Sequence, residues 1–243
     1  MNNITDLRFA VLIDADNVPA SAVKEIMEEI AKYGTPTYKR IYSDWTRPHM
    51  NSWKEVLLDN AITPIQQYSY TKGKNASDIG LVIDAMDILH TGRFDGFVIV
   101  SSDSDFTALA SRLREGGVDV IGIGEKKAPD SFRNVCNRFV QIKNIVAVEV
   151  EAGIEAKPPT QQPIKQPVKL IKLIDSAMRS IDSDDEWHRL GVLGSHLVRA
   201  NPEFDARNHG RAKLSELVAM LKPFEMRKQS GHFEVRKIEN GKP

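Results

Sequence analysis

The sequence predicts an α/β protein with a mostly parallel sheet covered on both faces, followed by a small winged-helix-like module. Three observations carry this. Short apolar strands alternate with amphipathic helices from Arg8 onward, the βαβα order that crossover connections produce. Phe97-Val98-Ile99-Val100 is a continuous apolar run, as in a strand buried on both faces, and it ends in Ser101-Ser102-Asp103-Ser104-Asp105. Residues 151–167 shift to Pro, Gln, Lys and Ala, too little of it apolar for a core, and read as an extended linker between domains at 1–150 and 168–243.

In chain order, Arg8 to Ile13 is a strand followed at once by Asp14-Ala15-Asp16-Asn17, and Pro19 opens a helix from about Ser21 to Tyr33. Gly34-Thr35-Pro36 breaks it. Tyr38 to Tyr42 is a second strand, Trp53 to Asn60 a helix, and Thr63 to Tyr68 a third strand leading into the basic loop Tyr70-Thr71-Lys72-Gly73-Lys74-Asn75. Asp78 starts a helix whose apolar positions Ile79, Val82, Ile83, Met86 and Leu89 follow helical spacing. After the central strand comes a helix through Phe106, Leu109, Ala110 and Leu113, then a strand at Val118 to Ile123, a helix at Ser131 to Phe139, and an extended segment at Val140 to Val150. Beyond the linker, Leu170 to Ile181, Leu190 to Ala200 and Asn208 to Leu221 read as helices, and Phe224 to Met226 pairs with His232 to Val235 as a hairpin.

Composition bounds the chemistry. At 243 residues and 41% hydrophobic content the chain can bury one sizeable core and a second, smaller one. It has no apolar run of membrane-spanning length and no signal-like segment, so the expectation is a cytoplasmic protein without a membrane partner. The single Cys136 reads as a buried inert thiol, and the six histidines lack zinc spacing. The net charge of zero hides an asymmetry: residues 1–164 carry 18 Lys+Arg against 22 Asp+Glu, whereas 165–243 carry 15 against 11.

In open α/β sheets, ligands sit beyond the carboxyl ends of the strands. Asp14 and Asp16 end one strand, Asp103 and Asp105 another, and Asp78 begins a helix that can point back to them. Carboxylates pooled there need a cation to stay ionised, and hard oxygen ligands suit Mg²⁺ or Mn²⁺. The competing reading of Asp103 and Asp105 is helix capping, and Asp16 reads equally as a ligand or a solvated turn residue. Asp84 and Asp87 read as solvated helix positions.

Three spaced motifs, Leu12-Ile13-Asp14-Ala15-Asp16-Asn17, Lys74-Asn75-Ala76-Ser77-Asp78-Ile79 and Ser101-Ser102-Asp103-Ser104-Asp105-Phe106, make residues 7–150 resemble the NYN domain of the PIN-like nuclease superfamily. Residues 168–238, through Trp187, Leu193-Gly194-Ser195, Phe204, Arg207-Asn208-His209-Gly210 and Leu214, resemble a LOTUS, or OST-HTH, domain. The resemblance implies a Rossmann-like three-layer sandwich and a metal-dependent endoribonuclease, with Asp14, Asp78, Asp103 and Asp105 as metal-binding acids and Asn17 completing the first motif. It implies RNA as partner, and a protein partner is also known for LOTUS relatives. Many relatives carry an acid after the Cys of the last helix where this chain has Asn137, which leaves a one-metal or weak site as the expectation.

Lys72, Lys74, Arg207, Arg211 and Lys213, together with Lys169 and Lys172, are candidates for phosphate contacts, with an ordinary solvated face as the alternative. Tyr68, Tyr70 and Trp45 could stack on unpaired bases or pack in the core. Two other function classes stay open: a haloacid-dehalogenase-type phosphatase with Asp14 as nucleophile, and a non-catalytic RNA-binding adaptor that keeps the acidic pocket.

Overall fold

The computed structural model describes residues 7–68, 76–146, 167–183 and 185–238. The chain divides into two compact units, Met1–Ile154 and Glu155–Pro243. Among the described residues no helix is long and apolar enough to cross a membrane.

The first unit is a six-stranded sheet of β1 (Arg8–Asp14), β2 (Thr35–Ser43), β3 (Thr63–Gln66), β4 (Gly96–Val100), β5 (Asp119–Gly124) and β6 (Arg138–Gln141) in the order β3-β2-β1-β4-β5-β6. Every neighbouring pair is parallel. Strand order reverses between β1 and β4, which opens a crevice at their carboxyl ends. Side chains alternate across β1: Phe9, Val11 and Ile13 pack with α1 (Val23–Ala31), α2 (Asn51–Leu57) and Ile142 and Ile145, whereas Ala10 and Leu12 pack with α3 (Ala76–His90), α4 (Thr107–Glu115) and α5 (Asp130–Val135). Helices therefore cover both faces in three layers. Burying side chains of this size stabilises by roughly 1.5–3 kcal/mol each, so the strand ends are held by the core and not by the site.

Several local expectations are corrected. The helix after β5 ends at Val135, and Phe139 belongs to β6. The break is tertiary in origin: the Asn137 amide donates to the Val120 carbonyl at 2.8 Å while its side-chain Oδ1 accepts from the Val120 amide at 3.0 Å, which ties residue 137 to the neighbouring strand. Residues 142–146 are helical (α6) where an extended segment was expected. In α3 the buried positions are Leu81, Ala85 and Ile88, and Ile79 and Ile83 are exposed. Asp84 is not solvated: Arg40 holds both its oxygens at 2.6–2.7 Å and the Tyr42 hydroxyl donates to it, which fastens α3 to β2.

The second unit comprises α7 (Pro167–Arg179), β7 (His188–Arg189), α8 (Leu190–Ala200), a 3₁₀ turn (Ala206–His209), α9 (Leu214–Ala219), β8 (Phe224–Gln229) and β9 (His232–Lys237), with sheet order β7-β9-β8. Leu170, Ile174, Leu193, Leu197, Leu217, Val218 and Val235 form its core. The single helix expected from Asn208 to Leu221 is two pieces, because Gly210 takes a left-handed φ of 75° that ends the first. Most of the predicted linker lies outside the described residues; Pro167 itself opens α7, where its missing N–H costs nothing.

Candidate functional site

Asp14 leaves the carboxyl end of β1 and caps the 3₁₀ turn Ala15–Asn17. It is 2% exposed, and three donors hold it: the Asp16 amide at 3.2 Å on Oδ1, with Asn17 Nδ2 at 2.5 Å and the Ser101 hydroxyl at 2.9 Å on Oδ2. Burial nevertheless raises its pKa, because loss of water outweighs the donors.

The next strand end repeats this logic. Asp103 caps the turn Ser104–Phe106 by accepting from the Asp105 amide at 3.0 Å. Fully buried Ser101 joins the two strand ends: its hydroxyl donates to Asp14 and accepts from the Asp103 amide at 3.1 Å. Gly124 is needed beside it, since a Cβ there would lie 2.4 Å from the Ser101 carbonyl. Ser101→Ala removes a buried bond to a charged group, which is worth about 1.5–3 kcal/mol. The expected result is a lower midpoint in denaturant unfolding with unchanged slope; an unaltered midpoint would deny Ser101 this joining role.

Asp78, Asp103 and Asp105 each offer an oxygen within 4.8 Å of the others. Asp78 is pushed up to about 6, first by burial and then by the negative charge of Asp14, Asp103, Asp105 and Asp16. Mutual repulsion of this size is what a divalent cation relieves, and three carboxylate oxygens at this spacing fit Mg²⁺ or Mn²⁺. Asp14 stands outside the trio, with one oxygen committed to Asn17 and Ser101. Capping and clustering thus coexist at Asp103.

The remaining candidates scatter. Lys72, Lys74 and Tyr70 lie outside the described residues. Tyr68 is exposed, whereas Trp45 packs on the core and its indole donates to the Ile65 carbonyl at 3.0 Å. In the second unit the Arg207 guanidinium is clasped by Asp205 at 2.6–3.0 Å and is 20% exposed, so it braces the turn that Asp205 caps. Arg211 bonds the Gly210 carbonyl at 2.6 Å, and Lys213 is exposed at the start of α9. Asn137, where the resemblance led to the expectation of an acid, is engaged with β5.

Sequence reasoning missed Ser101, although a hydroxyl at the end of a buried strand was a usable signal. It also missed an open cleft of about 360 Å³ lined in part by Asp16, Asn17, His49, Ser52, Glu125 and Lys127. No sequence signal pointed to His49, because tertiary folding alone brings its loop within 3.4 Å of Asp16.

Compared with known proteins, residues 8–143 match the NYN domain family and residues 160–238 match the OST-HTH/LOTUS domain family. No curated protein matches the chain. Among solved structures, a protein of unknown function from Vibrio parahaemolyticus RIMD 2210633 is similar at 17% identity and a TM-score of 0.49, covering 58% of this chain and 96% of that one.

Proposed function

The chain belongs to the NYN domain family, with an OST-HTH/LOTUS domain after it, and from that premise we propose that it is a divalent-metal-dependent endoribonuclease. The observation that carries the proposal is the carboxylate trio of Asp78, Asp103 and Asp105 at the carboxyl end of a parallel sheet. These three would hold Mg²⁺ or Mn²⁺, which when bound would lower the pKa of a coordinated water and neutralise charge on a phosphodiester. Asp14, Asn17 and Ser101 support this arrangement: their hydrogen bonds join the ends of β1 and β4, so Asp103 leaves a rigid strand end. The acids leave the site negatively charged without a cation, and RNA would then be repelled.

The phosphatase reading needs Asp14 free to attack phosphorus. Its near-complete burial and three donors speak against a covalent aspartyl phosphate. The adaptor reading and the nuclease reading part on turnover: purified protein incubated with labelled single-stranded RNA should cut it with Mg²⁺ or Mn²⁺ and not with EDTA. Absence of cleavage under both metals would leave an RNA-binding protein.

In this proposal the nuclease domain at 1–150 is tethered through residues 151–167 to an RNA-binding domain at 168–243. Arg211 and Lys213 supply backbone contacts, whereas Arg207 braces its own turn. Expressed alone, residues 167–243 should fold, since they have a separate core, and should bind RNA without cutting it. Affinity should fall steeply with salt, and Arg211→Ala with Lys213→Ala should reduce the salt slope by about 1 to 2. Titration of the isolated domain with single-stranded and structured RNA checks this; no binding at low salt would turn attention to a protein partner.

A further inference from the structure

We propose that the cleft beside the acidic trio is a ribonucleoside subsite that reads the ribose hydroxyl of the nucleotide flanking the scissile phosphate. The inference rests on the ribonuclease reading and deepens it. The cleft is built from loops after three strands: Asp16 and Asn17 follow β1, His49 and Ser52 follow β2, and Glu125 and Lys127 follow β5. All of these lie at the carboxyl edge of the sheet, where the trio also stands.

The two sites occupy opposite sides of that edge. The cleft floor is Val18, Met50 and Trp53, which belong to the core under α1 and α2, whereas the trio sits where α3 and α4 begin. The turn from Asp14 to Asn17 links them: Asn17 lines the cleft while its amide holds Asp14, whose charge Asp78 feels. A strand lying across the carboxyl edge with one phosphate at the trio would reach the cleft with a neighbouring nucleoside.

Charge decides which part of the nucleotide the cleft takes. Its two basic side chains are each faced by a carboxylate: His49 Nε2 lies 3.4 Å from Asp16 Oδ1, and Lys127 Nζ lies 3.1 Å from Glu125 Oε2. Asp16 Oδ2 and Glu125 Oε1 have no protein partner among the described residues. Two open carboxylate acceptors would repel phosphate, and they suit hydroxyl donors. The volume, about 360 Å³, lies at the small end of the range for organic ligands, which fits one nucleoside and no more. A ribose 2′-hydroxyl is the group that separates RNA from DNA at a single position, so this arrangement would confer ribose selectivity there.

The test is a deoxy scan. Short labelled RNAs, each with one 2′-deoxy residue, are cut by the intact protein with Mn²⁺, and in parallel they compete for binding to the full-length Asp103→Asn protein. One position beside the cut should lower kcat/KM about tenfold, the loss expected for one hydrogen bond to a charged group. In Asp16→Ala and Glu125→Ala that penalty should shrink to about twofold or less. Because the readout is a ratio of substrates, a general loss of turnover in Asp16→Ala cancels; if turnover is too low, the same ratio is taken from binding. A flat scan, or a penalty unchanged in both variants, overturns the subsite. A position-specific binding penalty in a protein that never cuts would keep the subsite and discard the nuclease reading.

Discussion

Asp103→Asn is expected to lower metal-dependent RNA cleavage by about two to three orders of magnitude while leaving the fold intact. The size follows from removing one anionic ligand from a site whose cation supplies several kcal/mol of charge stabilisation in the transition state. The fold survives because Asp103 also caps the turn Ser104–Phe106 through Oδ1, and an asparagine side chain accepts that bond equally well. Ser101 still bonds the backbone of residue 103, so the strand end keeps its place. Single-turnover cleavage by the purified variant, with circular dichroism as the control for folding, checks both halves. Cleavage at the wild-type rate would mean that Asp103 is only a cap. A second variant, Asp105→Asn, tests the trio without touching the Asp103 carboxylate, and it leaves in place the Asp105 amide that donates to the cap.

Asp78→Asn is expected to abolish activity yet stabilise the metal-free protein. The folded-state pKa of Asp78 is about 6 against an ordinary value of 3.8, raised first by burial and then by Asp14, Asp103, Asp105 and Asp16. Between those values the folded protein binds more protons than the unfolded chain. Stability is therefore fully present below about pH 4 and is lost as pH rises through 6. Above pH 6 the ionised carboxylate destabilises the fold, by on the order of 1 kcal/mol after allowance for solvent screening of a partly buried group. In EDTA at neutral pH the variant should melt about 2–4 °C above wild type. Adding Mn²⁺ should raise the wild-type midpoint and move that of the variant much less, because binding to the folded state alone stabilises by mass action. A variant that melts below wild type in EDTA would refute the repulsion on which this rests.

The strands were legible where local pattern is unambiguous. Phe97 to Val100 reads as a fully buried strand, which it is, and the acids that follow it and β1 then lie at the carboxyl edge. Helix α3 was harder: its apolar residues run nearly all round, so periodicity favoured Ile79 and Ile83, and packing against Leu12 and Phe97 selected Leu81 and Ala85 instead. The end of α5 was not legible, because the bonds between Asn137 and Val120 that stop it connect residues far apart in sequence. The same limit hid the Arg40–Asp84–Tyr42 contacts and the cleft around His49.

By itself the sequence determined the alternation of strands and helices, the carboxylates at two strand ends and one helix start, and the presence of a second basic module. These depend on periodicity and on neighbours within a turn or two of chain. Only the tertiary structure decided that Asp78 comes within 4.8 Å of Asp103 and Asp105 and that Asp14 is buried and tied to Ser101. That choice depends on β1 and β4 lying side by side in the sheet, a pairing between segments separated by three helices, and no local pattern encodes which strands become neighbours.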